Sequence, residues 1–264
     1  MQDTPVHESS RIDVGGVGVH LLRGGPRRDD GAILFLHGAG GAGVWMPFHG
    51  LLAERRDVLA PDHPGFGGSD DAEDVIEAMD DLVYHYLALI EQLGLTNVDL
   101  VGSSLGGWLA AELAVHHPEL FRTLTLLAPV GLELPEHPIQ DLFGMSPDET
   151  VAAVFHDPSI AAQIFPAEPD LDFIMGLYRE KISFARLAWS PYCANPKLER
   201  RLHRISCPTL VLWGEHDHLV PIQHGERYVE RLPDARLQVL PGVSHAPFIE
   251  EPAATAKAIL DFVG

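Results

Sequence analysis

Positive charge is scarce in this chain of 264 residues: 18 Lys and Arg stand against 38 Asp and Glu, a formal net charge of −20. A surface of that sign repels phosphate backbones and anionic headgroups, which argues against nucleic acid or a membrane as partner. Cysteine is scarce too. Cys193 and Cys207 are the only two, too few for a disulfide framework, and they read as free buried thiols in a reducing, cytoplasmic setting. No apolar run reaches the roughly 18 residues that a membrane-spanning helix needs. The polar, acidic start MQDTPVHESS lacks the make-up of a secretory signal. With 46% hydrophobic and 21% charged residues, the chain is neither disordered nor a coiled coil. Its length suits one large domain, or one core with an inserted subdomain.

Strand and helix patterns alternate from about residue 11. Arg11–Val14 and Val17–Leu22, split by Gly15-Gly16, read as an antiparallel pair. Ala32–His37 is a continuous apolar run, as in a strand buried on both faces, and Asp57–Pro61 is the next. Between them Val44–Glu54 looks helical, with Pro47 tolerable only in its first turn. The spacing of Val75, Met79, Leu82, Tyr86, Leu89 and Leu93 predicts a helix over Ala72–Leu93, ended by Gly94. Strand Val98–Val101, helix Leu105–His116 and strand Leu124–Ala128 follow. Residues 131–203 then show no convincing buried strand, only short helical stretches broken by prolines. Afterwards the rhythm resumes with strands Thr209–Trp213 and Leu237–Leu240 and helices Gly225–Arg231 and Ala253–Phe262. The expectation is an α/β core (1–130 and 204–264) interrupted once by a helical insertion at 131–203.

Two glycine patterns compete for the function. Gly38 to Gly43 satisfies G-x-G-x-x-G after a strand, with Asp62 about 20 residues on, as a dinucleotide site would require. That reading leaves His37 and every later motif without a role. Gly102-Ser103-Ser104-Leu105-Gly106 satisfies G-x-S-x-G between a buried strand and an Ala-rich helix. In that context the central serine occupies a strained strand-to-helix turn, and a Cβ at Gly102 or Gly106 would collide with a neighbouring element. A serine hydroxyl needs a base to take its proton, and the base needs a carboxylate to set its tautomer. His245, five residues past Leu240, and Asp217, four past Trp213, lie after late strands where open α/β sheets bind ligands. The oxyanion formed on attack calls for two backbone N–H groups, expected from Leu105 and Ala39, with Gly40 as fallback. His216 and His218 flank Asp217 but point apart on a turn, so no metal site is expected.

With these residues in place, the chain resembles capped serine hydrolases of the α/β-hydrolase fold, the group that includes esterases and carbon–carbon bond hydrolases. LFLHGAGG, APDHPGFGGSD, DLVGSSLGGWLA, PTLVLWGEHDHLVP and LPGVSHAPFIEEP carry the resemblance, from about residue 30 to 263. It implies an eight-stranded, mostly parallel sheet with helices on both faces, a helical cap after the sixth strand, and no cofactor. The expected activity is cleavage of a carboxylic ester of a small-to-medium, apolar substrate through an acyl-enzyme on Ser104. The alternatives are carbon–carbon cleavage of a diketone-like ring-cleavage product and a non-enzymatic small-molecule receptor. Ser103, where carbon–carbon hydrolases carry Asn, and Ala246, where they carry Trp, depart from that subfamily. Phe143, Arg186 and Trp189 in the insertion are the candidate substrate contacts. The expected partner is a small-molecule substrate, with a homodimer left open.

Overall fold

The computed structural model describes residues 7–27, 31–166 and 168–264; the opening residues 1–6 of the polar start lie outside them. Gly15 and Gly16 both hold positive φ, the conformation a tight hairpin turn requires. They join β1 (His7–Val14) to β2 (Val17–Gly24). The remaining strands are β3 (Ile33–Leu36), β4 (Val58–Pro61), β5 (Val98–Ser103), β6 (Phe121–Leu127), β7 (Thr209–Gly214) and β8 (Ala235–Leu240). They form one eight-stranded sheet in the order β1-β2-β4-β3-β5-β6-β7-β8. The β1–β2 and β2–β4 pairs are antiparallel and all others parallel.

Central strands bury both faces, and alternate residues feed opposite layers. Leu34, Leu36, Leu124, Leu126, Val211 and Trp213 pack against α2 (Met79–Gln92), α3 (Leu105–His116) and α7 (Gln223–Arg231). Ile33, Phe35, Leu127, Leu210 and Leu212 face α1 (Pro47–Ala53), α8 (Pro247–Glu250) and α9 (Pro252–Val263). Helices therefore cover both sides of the sheet. Between β6 and β7 the chain forms α4 (Pro147–Val154), α5 (Ala161–Ile164) and α6 (Leu171–Ala188) with short 3-10 turns, the helical insertion.

One helix is shorter than its apolar spacing predicts. Helix α2 begins at Met79 rather than Ala72, and Val75 is exposed. The Asp81 carboxyl accepts the N–H groups of Glu77 and Ala78 and so starts the helix there, while Val75 and Ile76 close a turn on the Ala72 carbonyl. Its end is as expected. Gly94 has φ 62°, its N–H donates to the Glu91 carbonyl, and the Leu95 N–H donates to that of Ile90, a Schellman cap. Helix α1 starts with Pro47 at its first position, which trims the expected Val44 start.

Both cysteines are free and buried. Burial pushes the thiol pKa of Cys193 up to about 12 and that of Cys207 to about 11, so both stay protonated and inert. Among the described residues no helix is long and apolar enough to cross a membrane.

Candidate active site

Ser104 stands at the junction of β5 and α3 with φ 53° and ψ −112°, a conformation that costs a non-glycine residue about 1–3 kcal/mol. Close packing enforces it. A Cβ on Gly102 would lie inside the Gly106 carbonyl and 2.9 Å from Ala110 Cβ. One on Gly106 would strike the Leu36 and His37 carbonyls at the end of β3. The two glycines thus let strand, helix and neighbouring strand close on the serine. The Ser104 N–H donates to the Leu127 carbonyl at 2.9 Å, and its own carbonyl receives the N–H groups of Trp108 and Val130.

The β7–α7 and β8–α8 loops bring the other two residues together. His245 Nδ1 and Asp217 Oδ2 are 2.8 Å apart, both nearly buried. The second Asp217 oxygen accepts the N–H groups of Leu219 and Val220, each at 2.9 Å, which fixes the plane of the carboxylate. Since the carboxylate accepts, Nδ1 carries the proton and Nε2 presents its lone pair. That Nε2 atom is buried and has no partner among the described residues. Gly214 is what allows the two loops to touch, because a Cβ there would run into the Ser244 carbonyl.

Gly38 lies directly against the serine: a Cβ on it would sit 3.3 Å from Ser104 Cβ. The loop that follows contains Ala39, and the N–H groups of Ala39 and Leu105 find no acceptor among the described residues. A directed hydrogen-bond chain holds this loop. The Tyr86 hydroxyl donates to His63 Nδ1 at 2.6 Å, and His63 Nε2–H donates to the His37 carbonyl at 2.9 Å. The His63 N–H donates to His37 Nε2 at 2.9 Å, and His37 Nδ1–H donates to the Gly38 carbonyl at 2.7 Å. Burial lowers the pKa of both histidines, so both rings are neutral and the chain keeps its direction. Asp62 closes the far side of the loop, accepting from Gly43 N–H at 2.6 Å, Gly68 N–H at 2.8 Å and His20 Nδ1 at 2.7 Å. The last glycine of the dinucleotide-like pattern, Gly43, is thus tied down by a buried carboxylate. The sequence gives no sign that His63 belongs to the site, places Tyr86 only on the apolar face of its helix and Asp62 only in the rival dinucleotide pattern, although the stretch APDHPGFGGSD contains both His63 and Asp62.

Phe143, Trp189 and Arg186 are placed differently from the other candidates. Phe143 stacks on Phe184 with ring centroids 4.9 Å apart and contacts Trp189 at 5.0 Å. Trp189 is 64% exposed. Arg186 reaches across to Glu73 at 3.6 Å. No described hydrogen bond or ring contact joins any of the three to Ser104, Asp217 or His245. His216, beside Asp217, stacks face to face on His156 of the insertion at 4.1 Å.

The model of the alpha/beta hydrolase family matches residues 33–258. This chain belongs to that family. A 2-hydroxy-6-oxo-6-phenylhexa-2,4-dienoate hydrolase of Burkholderia cepacia is 29% identical, over 88% of this chain and 87% of its own length. The pimeloyl-[acyl-carrier protein] methyl ester esterase of Aeromonas hydrophila subsp. hydrophila is 32% identical, over 88% of this chain and 95% of its own. Among solved structures, a 2-hydroxy-6-oxo-6-phenylhexa-2,4-dienoate hydrolase from Rhodococcus sp. strain RHA1 superimposes with a TM-score of 0.79. That match has 25% identity and covers 99% of this chain and 100% of that one. As a member of this family the chain is a hydrolase, and its relatives include carbon–carbon bond hydrolases and an esterase.

Proposed function

We propose that the protein hydrolyses a carboxylic ester of a small-to-medium, apolar substrate through an acyl-enzyme on Ser104. The observation that carries this reading is the His245 ring. Its Nδ1–H is committed to Asp217 and its Nε2 lone pair is unsatisfied and buried. A base so arranged takes the Ser104 proton as Oγ forms a bond to the acyl carbon. The resulting oxyanion is met by the N–H groups of Leu105 and Ala39, near the N-terminus of α3. The imidazolium then gives its proton to the departing alkoxide as the carbon–oxygen bond breaks, leaving the acyl-enzyme. Water enters, loses a proton to Nε2 and attacks the acyl carbon. Collapse of the second tetrahedral species returns the proton to Ser104 and frees the acid. Every proton passes through one nitrogen, so no metal or cofactor is required.

The helical insertion acts in this reading as a cap over the serine, walling the pocket and excluding water. Carbon–carbon cleavage is the second reading, favoured by the names of relatives such as the Burkholderia cepacia enzyme. Arg186, which would anchor the acid group of such a substrate, is engaged by Glu73, and this weighs toward the ester. The deciding experiment runs p-nitrophenyl esters of rising chain length beside one ring-cleavage diketone. Turnover of the esters, with a fluorophosphonate covalently labelling Ser104, supports the proposal. Turnover of the diketone alone would replace it with the second reading, and an unlabelled Ser104 would overturn both.

A further inference from the structure

The imidazole of His245 is oriented by Asp217, but the loop that carries it is held by the helical insertion. The His245 N–H donates to the Val154 carbonyl at 3.0 Å, and the Ser244 hydroxyl donates to the Ala153 carbonyl at 3.2 Å. Both acceptors are in the last turn of α4, where carbonyl groups have no partner within the helix. One side chain spans the same seam from the core side. Glu250 Oε2 accepts the Ser244 N–H at 2.6 Å, while its Oε1 accepts the His156 N–H at 2.7 Å and the Asp157 N–H at 3.3 Å. A single carboxyl group therefore joins the residue before His245 to the segment just after α4. The stack of His156 on His216 links the same segment to the residue before Asp217.

We infer that Glu250 is a positioning residue that couples the seating of the cap to the placement of the base His245. The inference rests on the serine-hydrolase reading above and adds a mechanical consequence to it. Ser244 and His245 spend their backbone N–H groups on Glu250 and on the insertion, while the preceding Gly242 and Val243 are held within the core by Glu215 and His216, so the seam supports the two residues nearest the imidazole. When segment 153–157 lifts away from the core, His245 loses the Val154 carbonyl, and Glu250 can no longer hold Ser244 and His156 at once. The base is then displaced from the position that Asp217 and Val154 give it, and a positioning error of about 1 Å is enough to lower turnover some 100-fold. An unseated cap thereby switches the serine off, which guards an acyl-accepting nucleophile when no substrate holds the cap down.

Glu250→Gln tests this directly. It keeps the shape of the side chain but turns one acceptor oxygen into a donor, so one of the two arms faces N–H groups with an NH2 group. Three experiments are run: steady-state kinetics for kcat and KM with p-nitrophenyl butyrate, the rate at which a fluorophosphonate labels Ser104, and hydrogen exchange of peptides covering 151–160 and 241–250. The expected result is a 10- to 100-fold fall in both kcat and labelling rate, with KM within threefold of the parent. Both peptides lose protection together while the strands keep theirs. A variant that labels and turns over within threefold of the parent overturns the coupling, as does faster exchange confined to one peptide. A parent protein that does not label at Ser104 overturns the serine-hydrolase reading instead, so the two failures are distinct. Ser244→Ala removes only the bond to Ala153 and decides the matter if Glu250→Gln does not fold. It is expected to lower kcat 3- to 10-fold and to loosen both peptides, and unchanged values overturn the proposal.

Discussion

Asp217→Asn is the most discriminating single change, because the surroundings dictate how the new amide must sit. One oxygen of Asp217 accepts two backbone N–H groups, from Leu219 and Val220, and the other accepts His245 Nδ1–H. If the asparagine turned its NH2 toward the two backbone donors, two buried hydrogen bonds would be lost, at about 1–3 kcal/mol each. The amide oxygen therefore stays on Leu219 and Val220, and the NH2 group faces the imidazole. His245 must then accept at Nδ1 and carry its proton on Nε2, so it has no lone pair to offer Ser104. The expected loss is about 10³- to 10⁴-fold in kcat, or roughly 4–5.5 kcal/mol of transition-state stabilisation. KM should change little, since Asp217 makes no direct contact with substrate in the proposed mechanism. The assay is steady-state hydrolysis of p-nitrophenyl butyrate at pH 7.5, with far-UV circular dichroism and a thermal melt on the same samples. Asp99→Asn is the control. Asp99 is fully buried at the start of β5, the strand end opposite Ser104, where it holds Arg56, Arg122 and Thr123. That change should lower stability by at least about 2 kcal/mol and leave kcat near the parent value. The reasoning is refuted if Asp217→Asn keeps more than a tenth of the parent kcat with its fold intact.

Three further outcomes are expected. Ser104→Gly should abolish turnover yet raise stability by about 1 kcal/mol in a urea titration, because glycine takes φ 53° without strain; a loss of stability would contradict the strained elbow. Acid should destabilise the fold through His37, His49 and His63, whose pKa values burial lowers, His49 to about 3. Below pH 6.5 the unfolded chain binds protons that the folded one refuses, so stability falls on acidification and is untouched above that pH; for His49 the loss approaches about 1.4 kcal/mol per pH unit until its folded value of about 3 is reached. His49→Asn should reduce the slope of stability against pH between 6 and 4 by about one proton, and an unchanged slope would refute the assignment. In the insertion, Phe155→Ala and Phe184→Ala remove buried rings and should cost about 3–5 kcal/mol. Phe143→Ala and Trp189→Ala should instead shift the acetate-to-octanoate ratio of kcat/KM, and no shift in either would make the cap a structural cover.

Much of the core was readable in the sequence because its strands are buried on both faces and its breaks fall at glycine and proline. Helix α3 runs from Leu105 to His116 as expected, and β7 departs from Thr209–Trp213 by one residue. The misreading at α2 has a local cause. Val75 and Ile76 continue the apolar spacing of the helix, but Asp81 captures the N–H groups ahead of Met79, and side-chain capping outweighs periodicity there. The short helix α8 lay hidden in PFIEEP, where Pro247 starts a single turn too brief to show a period. For the candidate substrate contacts the sequence offers the least guidance: Phe143 stacks on Phe184, and aromatic rings in the insertion pack on one another whether or not they line a pocket.

The rivalry between the two glycine patterns shows what decides such cases. Both G-x-G-x-x-G and G-x-S-x-G follow a buried strand, and spacing alone ranks neither. A dinucleotide loop needs its backbone N–H groups free to cradle a pyrophosphate and an exposed acid to meet a ribose. Here Asp62 is buried, and its carboxyl group is spent on Gly43, Gly68 and His20. Gly38 presses against Ser104, so the space beyond the strand end is already taken by the serine. Helix α1 starts only at Met46–Pro47, three residues past the last glycine, too late for its N-terminus to cap a phosphate in that loop. The same residues that disqualify the loop for a nucleotide suit it to an oxyanion. Two fixed neutral histidines hold it from behind, Asp62 holds it from the side, and the N–H of Ala39, which the proposed oxyanion hole uses, has no acceptor among the described residues.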